Sequence, residues 1–131
     1  MAFLITNNHN QKDSLKKKLE KNIEIFNTQV PPFHLKKVDI IKTNGIYERL
    51  INWVTGEFDL FLQNESELLE VYFPNGWFSI RSFKNKNQEL IEIKVEGKSR
   101  IACQNIMSQL EIIYNHVICF TELKENQYVI N

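Results

Sequence analysis

The sequence has few cysteines, which cross-link small folds through disulfides, and few glycines, which build phosphate-binding loops. Its 131 residues include two cysteines, four glycines and three prolines. Two cysteines are too few for a disulfide framework, so Cys103 and Cys119 are interpreted as small buried residues in a reducing compartment. No G-x-G and no complete G-x-x-x-x-G-K-[ST] loop is present, which excludes nucleotide binding of that kind, because the glycines are isolated from one another at Gly45, Gly56, Gly76 and Gly97.

A long apolar run is also missing. The best candidate, Ile112 to Phe120, contains Asn115 and His116 and falls short of the roughly 18 residues that a membrane span needs. The N-terminus has no basic segment ahead of its apolar residues, so we predict no signal peptide. We expect one cytoplasmic domain over residues 1–131, without a membrane partner. The abundance of lysine, asparagine and isoleucine is typical of an AT-rich bacterial coding sequence.

Motifs for catalysis and metal binding are absent as well. The three histidines, His9, His34 and His116, are far apart, and there is no C-x-x-C, H-x-H or H-E-x-x-H. His116 and Cys119 are close enough on one helix to touch, but such a pair is common without activity. We therefore predict no metal, no cofactor and no catalytic residue, and we expect that the chain is not an enzyme. An active site that no motif reveals, for example within a cluster of carboxylates, stays an alternative.

What the sequence does contain is a series of alternating apolar segments in its second half. Such alternation predicts half-buried strands, which pair antiparallel when short turns join them. One turn, Pro74-Asn75-Gly76, has a residue order that favours a tight reversal. The predicted strands contain Phe58, Leu60 and Leu62; Leu69, Val71 and Phe73; Phe78 and Ile80; and Ile91, Ile93 and Val95. An earlier strand is predicted over Val38–Ile41, and polar loops over residues 64–67 and 84–88.

Two helices are predicted to pack against this sheet. A long C-terminal helix from about Arg100 to Val117, capped by Ser99, has a wide apolar stripe at helical spacing. An N-terminal helix is predicted from about Ser14 to Phe26 after a short strand over residues 2–6. Residues 46–54 carry a helical rhythm next to the hairpin signal Asn44-Gly45, and both interpretations stay open, with Gly56 as the end of such a helix. A last edge strand is expected over residues 128–130. The fold class is α+β, with an antiparallel meander of about four to six strands.

The neutral total charge of 16 bases and 16 acids hides an uneven distribution. Residues 45–80 hold six acids and one base, Arg49, whereas residues 1–44 and 81–100 are basic. If Phe58, Leu60 and Leu62 face the long helix, the other sheet face holds aromatic residues that need cover. Either the N-terminal helix or residues 46–54 cover this face, or it is an exposed interface patch. Its aromatic residues are Phe61, Tyr72, Trp77 and Phe83.

These features favour a small protein-binding domain. The most concrete version is an immunity protein, an inhibitor that neutralises a basic partner such as a toxin nuclease through an acidic, aromatic surface, because opposite charge raises the association rate. Single-stranded nucleic-acid binding by the sheet aromatics is an alternative that the zero net charge disfavours. Homodimerisation through a sheet edge is another. The predicted partner-binding residues are Glu57, Asp59, Glu65, Glu67, Glu70, Tyr72 and Trp77.

Overall fold

The computed structural model describes the backbone of residues 23–25 and 30–130 and the side chains of residues 30–124. The predicted α+β class is confirmed. The strand predicted over residues 2–6 and most of the helix predicted over residues 14–26 lie outside the described residues. In chain order the elements are β1 (Ile23–Ile25), β2 (Phe33–Ile41), α1 (Ile46–Glu57), β3 (Leu62–Glu65), β4 (Leu69–Phe73), β5 (Gly76–Asn85), β6 (Gln88–Gly97) and α2 (Arg100–Ile130).

The strands form one antiparallel sheet in the order β1-β2-β6-β5-β4-β3. Strands β3 to β6 make the predicted meander, and β2 pairs with the far side of β6. Ile23–Ile25, at the end of the predicted N-terminal helix, is a strand because its short Ile-Glu-Ile segment pairs antiparallel with β2. The loop predicted over residues 84–88 is shorter, since Lys86 and Asn87 both adopt positive φ and turn the chain in two residues.

Both helices cover the same face of the sheet, called here the helix face. Alternate residues of β4, β5 and β6 are buried on it, and α2 contributes its predicted apolar stripe. Tyr114, Phe58 and Phe78 are the largest fully buried side chains. The prediction that the long helix packs on one sheet face is therefore confirmed. Its buried stripe contains Cys103, Met107, Leu110, Ile113, Tyr114 and Val117.

Helix α1 resolves the conflict over residues 46–54 in favour of a helix. Gly45 has φ 89°, a conformation open to glycine, and this lets the chain enter the helix directly from the turn. The Arg49 N–H donates to the Gly45 carbonyl oxygen at 3.1 Å and closes the first turn. Leu50 and Val54, four residues apart, are both fully buried. Gly56 does not stop the helix, which continues to Glu57.

Helix α2 begins where the sequence predicts and ends much later. The Ala102 N–H donates to the Ser99 hydroxyl oxygen at 3.1 Å, which is the predicted N-cap. The helix then runs to Ile130, so the predicted end at Val117 and the predicted strand over residues 128–130 are wrong. The physical reason is that residues 98–131 contain no glycine or proline to end the helix. Of the helices that the structure describes, none has the length and apolar character that crossing a membrane takes.

Strand β2 is longer than the predicted Val38–Ile41. The prediction missed its first residues because the side of the strand that faces the helices is partly polar. The Tyr114 hydroxyl of α2 donates to Asp39 Oδ2 at 2.9 Å, and Lys37 Nζ lies 3.4 Å from Glu111 Oε2. Burial raises the pKa of Tyr114, and the bond to Asp39 raises it further. Because these inward-facing residues are charged, the first part of the strand lacks the alternation of apolar and polar residues that predicts a strand.

The strand predicted over residues 58–62 is also wrong. Phe58 is buried, but it follows the last turn of α1, where its N–H donates to the Val54 carbonyl oxygen at 2.9 Å. The Phe61 N–H then donates to the Phe58 carbonyl oxygen at 3.0 Å, so these residues form turns. Strand β3 begins only at Leu62 and extends through Glu65, and the turn predicted over residues 64–67 lies at residues 66–68.

Candidate functional site

The junction between α1 and β3 is held together by one side chain. The Gln63 amide nitrogen donates to the carbonyl oxygens of Thr55 at 3.1 Å and Phe58 at 2.7 Å. These carbonyls lie at the end of α1, where a helix leaves its last carbonyl groups without partners. The Phe58 ring packs edge-on against Phe78, with 5.0 Å between ring centroids. Two contacts of different kinds therefore fix the position of the junction.

Exposed apolar residues surround this junction. Leu60 is 94% exposed, Leu62 is 73% exposed and Phe61 between them is 36% exposed. Trp53, one turn before the end of α1, is 53% exposed. These residues are close in the chain, and clusters of exposed apolar and aromatic side chains are typical of protein interfaces. None of these four residues belongs to the partner-binding set predicted from the sequence.

Acidic residues neighbour these apolar residues in the chain. Glu57 is the last residue of α1, Asp59 follows in the turn, Glu65 ends β3, and Glu67 lies in the turn before β4. All four are exposed. We call the surface formed by these acids with Trp53, Leu60, Phe61 and Leu62 the acidic corner.

The chain segment that forms the acidic corner carries charge of one sign. Between Arg49 and Arg81 the sequence contains no lysine, arginine or histidine. The Arg49 guanidinium lies 5.5 Å from the centroid of the Phe120 ring on α2. Helix α1 has no basic residue in its last turn, where the helix dipole is negative. Glu57 lies at the negative end of α1, whereas Glu65 lies near Tyr47 at the start of this helix, where its charge contributes to raising the pKa of Tyr47 after burial. Together the four carboxylates attract cationic groups.

The remaining predicted partner-binding residues lie elsewhere, on the sheet face that points away from the helices, called here the outer face. The Tyr72 hydroxyl donates to Glu70 Oε1 at 3.3 Å, and the charge of Glu70 is the main cause that raises the pKa of Tyr72. Trp77 lines a cleft with Pro31 and Pro32. The sheet thus divides the predicted set into two groups, and Leu62 connects them because it pairs with Tyr72.

At the centre of the outer face, three basic side chains surround one buried carboxylate. Glu92 is 5% exposed, and its carboxylate lies 2.6 Å from Arg81 Nε, 3.8 Å from Lys94 Nζ and 3.9 Å from Lys36 Nζ. Burial tends to raise the pKa of Glu92, but the hydrogen bond from Arg81 and the three positive charges lower it overall. The charge of Glu92 is therefore compensated by basic side chains of the protein itself.

The expectation that residues 46–54 cover the outer aromatic residues is wrong, because α1 packs on the helix face. Tyr72 is 40% exposed, whereas Trp77 and Phe83 are partly buried. Phe61 is not on the outer face at all, since it lies in the turn after α1 with its ring centroid 5.8 Å from that of Phe58. The other predicted cover, the N-terminal helix, falls outside the described residues.

One signal in the sequence points to the apolar part of the acidic corner. Leu60, Phe61 and Leu62 are three consecutive apolar residues, and a single strand face cannot bury neighbours that point in opposite directions. The predicted strand assigned Phe61 to one face and the two leucines to the other. The structure turns the chain at Phe58 instead, and all three side chains reach the surface.

The two cysteines differ in their exposure. Cys103 is buried, and burial raises the pKa of its thiol. Cys119 was expected to be buried, but it is exposed, because the buried side of α2 runs through Val117 and Thr121. No group of three His, Cys, Asp or Glu residues among the described residues is arranged to hold a metal ion.

No protein-family model and no curated protein matches the sequence. The function must therefore be inferred from the chemistry of the molecule itself. Within the described surface, the acidic corner combines exposed apolar side chains with charge of one sign, and it is the candidate functional site.

Proposed function

We propose that the protein is a small protein-binding domain that binds a basic partner protein through the acidic corner. The observation that carries this proposal is the exposure of Leu60, Phe61 and Leu62 beside four carboxylates, without a base nearby in the sequence. Apolar side chains supply the contact area that is removed from water, and the carboxylates select a cationic partner. The combination suits recognition of a protein more than recognition of a small metabolite.

The energetics of an interface support the same conclusion. A few residues usually carry most of the binding energy, and tryptophan is enriched among them. Trp53 is half exposed although its neighbours Leu50 and Val54 are fully buried. Acids at the rim raise the rate of encounter with a basic protein, and this effect weakens as salt is added. We therefore assign the affinity mainly to the apolar residues and the association rate mainly to the acids.

The fixed conformation of the acidic corner also supports the proposed binding function. Gln63 and the buried Phe58 ring fix the chain on both sides of the exposed segment. A surface that is already ordered loses less conformational entropy when it binds, so a larger part of the contact energy appears as affinity. An inhibitor needs this property because it must stay bound to its target.

The specific version of the proposal is an immunity protein that neutralises a cationic toxin, such as a nuclease, in the cytoplasm. A nuclease holds phosphate groups with lysine and arginine side chains. A carboxylate-rich surface competes for those same cationic groups and needs only a complementary shape to block them. No catalytic residue on the inhibitor is required, which agrees with a surface built from acids, leucines and aromatics.

The experiment that tests this proposal is affinity capture from the native host at low and at moderate salt, with bound species identified by mass spectrometry. The bait is the natural chain, beside a variant in which Glu57, Asp59, Glu65 and Glu67 are changed to their amides. Glu122→Gln, which removes an exposed acid of α2, is the control. We expect one stoichiometric basic protein on the natural chain and the control, and little on the fourfold variant. Recovery of nucleic acid, or equal recovery on all three baits, would contradict the proposal.

A further inference from the structure

The end of α1 carries a shallow pocket within the acidic corner. It is lined by Asn52, Trp53, Gly56 and Glu57 and has a volume of about 280 Å³. Trp53 and Gly56 are three residues apart on the helix, so they are neighbours on its surface. Glu57 follows Gly56 and is exposed. The pocket thus has an aromatic wall, a floor without a side chain and a carboxylate at its edge.

Gly56 is the unusual part of this pocket, because the fold does not require glycine there. Its φ is not positive, and a Cβ added at this position would meet no atom within 4 Å. Glycine within a helix destabilises the helix relative to alanine. Neither backbone conformation nor packing explains the residue. What glycine does provide is open space next to the Trp53 ring.

The charge around the pocket favours a cation. The carbonyl groups at the end of α1 carry the negative end of the helix dipole, and Glu57 adds a full negative charge at the same place. An acid at this end is unfavourable for the helix itself, since a base is normally preferred there. A positively charged side chain from outside would relieve this repulsion while it contacts the aromatic ring.

We infer that this pocket binds an arginine side chain of the basic partner, stacked on Trp53 above Gly56 and paired with the Glu57 carboxylate. The inference rests on the proposed function and names the partner group that the corner recognises. A guanidinium is planar, stacks on aromatic rings and donates two parallel hydrogen bonds to a carboxylate. The open space over Gly56 leaves room for such a group beside the ring, and Asn52 adds an amide to the lining of the pocket.

The test uses a small probe, so it does not need the partner. The probe is N-acetyl-arginine amide, and the matched control is N-acetyl-citrulline amide, which has nearly the same shape and no charge. The readout is the indole N–H signal of each of the two tryptophans, Trp53 and Trp77, in nitrogen–proton correlation spectra. We expect a saturable shift of the Trp53 signal with the arginine probe and a much smaller shift with citrulline. Trp77, on the outer face, serves as the internal control and should not move.

Two variants decide whether the pocket itself is responsible. Glu57→Gln removes the counter-charge and should raise the dissociation constant of the probe about threefold, the effect of one exposed charge pair. Gly56→Leu fills the space beside the ring and should abolish the Trp53 shift. Glu122→Gln should leave it unchanged. Equal shifts of both indole signals, equal binding of citrulline, or normal binding by Gly56→Leu would overturn the inference.

Failure of this inference is distinguishable from failure of the proposed function. If the probe does not shift Trp53 but partner capture still depends on the four acids, the arginine pocket is wrong and the binding function stands. If the probe binds as expected but no basic protein is captured from the host, the pocket stands and the proposed function is wrong.

Discussion

The side-chain amide of Gln63 donates a 2.7 Å hydrogen bond to the main-chain carbonyl oxygen of Phe58. This bond joins the first residues of β3 to the turn that follows α1, and a second bond from the same amide reaches Thr55. The exposed apolar segment lies between these anchored points. The conformation of the acidic corner therefore depends on one glutamine more than on any of the acids that give the corner its charge.

Replacement of this glutamine should loosen the corner and the fold together. Gln63→Leu removes the side-chain donor from the Thr55 and Phe58 carbonyl oxygens, of which Phe58 keeps only the Phe61 N–H, so we expect the free energy of unfolding in urea to fall by about 1–2 kcal/mol. Asn64→Ala is the matched control, because Asn64 is exposed and makes a single 3.4 Å bond to Glu70. The control should change stability by less than about 0.5 kcal/mol. Equal losses in both variants would contradict the role assigned to Gln63.

The two glycines at the ends of α1 should respond to alanine with opposite signs. Gly56→Ala should stabilise the protein by about 0.5–1 kcal/mol, because alanine favours the helix and the added Cβ meets open space. Gly45→Ala should destabilise it by about 1 kcal/mol, since φ there is 89°. Urea unfolding of both variants measures the difference. A loss of stability in Gly56→Ala would show that this glycine has a structural purpose after all.

Glu92 should make the stability of the protein depend on acid pH. The pKa of Glu92 is lowered from its ordinary value of 4.5, because Arg81, Lys94 and Lys36 outweigh the effect of burial. The unfolded chain therefore binds this proton at a higher pH than the folded chain does. The stability due to the carboxylate is complete above the ordinary pKa and is lost as the pH falls through the lowered one.

This dependence is measured as the free energy of unfolding in urea between about pH 7 and pH 3. Glu92→Gln should be less stable near neutral pH and should show a flatter decline toward acid pH than the natural chain. Glu122→Gln, at an exposed position of α2, should retain the natural decline. An unchanged slope in Glu92→Gln would contradict the account of this cluster.

Thr121 should be a site where a more apolar residue improves the fold. It is 4% exposed, and its hydroxyl has no hydrogen-bond partner among the residues that the structure describes. Thr121→Val keeps the shape and removes the unsatisfied group, so we expect a gain of about 1 kcal/mol in unfolding free energy. Thr55→Val is the matched control without a gain, because the Thr55 hydroxyl already donates to the Asn52 carbonyl oxygen at 3.0 Å. A loss of stability in Thr121→Val would show that its hydroxyl has a role in the fold.

The parts of the fold that could be predicted from the sequence are those where one signal dominates. The alternation in β4, β5 and β6 and the stripe of α2 identify the sheet and its cover, because burial on one face selects apolar residues at a fixed period. Strand β2 was predicted only in part, because Lys37 and Asp39 face inward and are paired with α2. Asn44-Gly45 favours a tight turn that can lead into either a second strand or a helix. Only the burial of the apolar residues of α1 decides between the hairpin and the helix.

The negative charge of the candidate site could be predicted from the sequence, but the arrangement of its apolar residues could not. The acidic segment is evident because charge is a local property of the sequence. The apolar half of the corner was missed, since Leu60 and Leu62 were assigned to a buried strand. Their exposure follows from the turn at Phe58, which depends on where α1 ends and on the contact between Phe58 and Phe78. Neither fact is visible in a local pattern.

The central claim is that the acidic corner binds a basic protein, and the most direct test compares two exposed leucines. Leu60 is 94% exposed within the corner, and Leu123 is 63% exposed on α2. The affinity of the captured basic partner is measured for the natural chain, Leu60→Ser and Leu123→Ser, after urea unfolding has shown that all three are equally stable. We predict that Leu60→Ser weakens binding about tenfold or more, as loss of a central interface residue does, and that Leu123→Ser binds as the natural chain does. Full affinity in Leu60→Ser, or a loss in Leu123→Ser alone, would contradict the account.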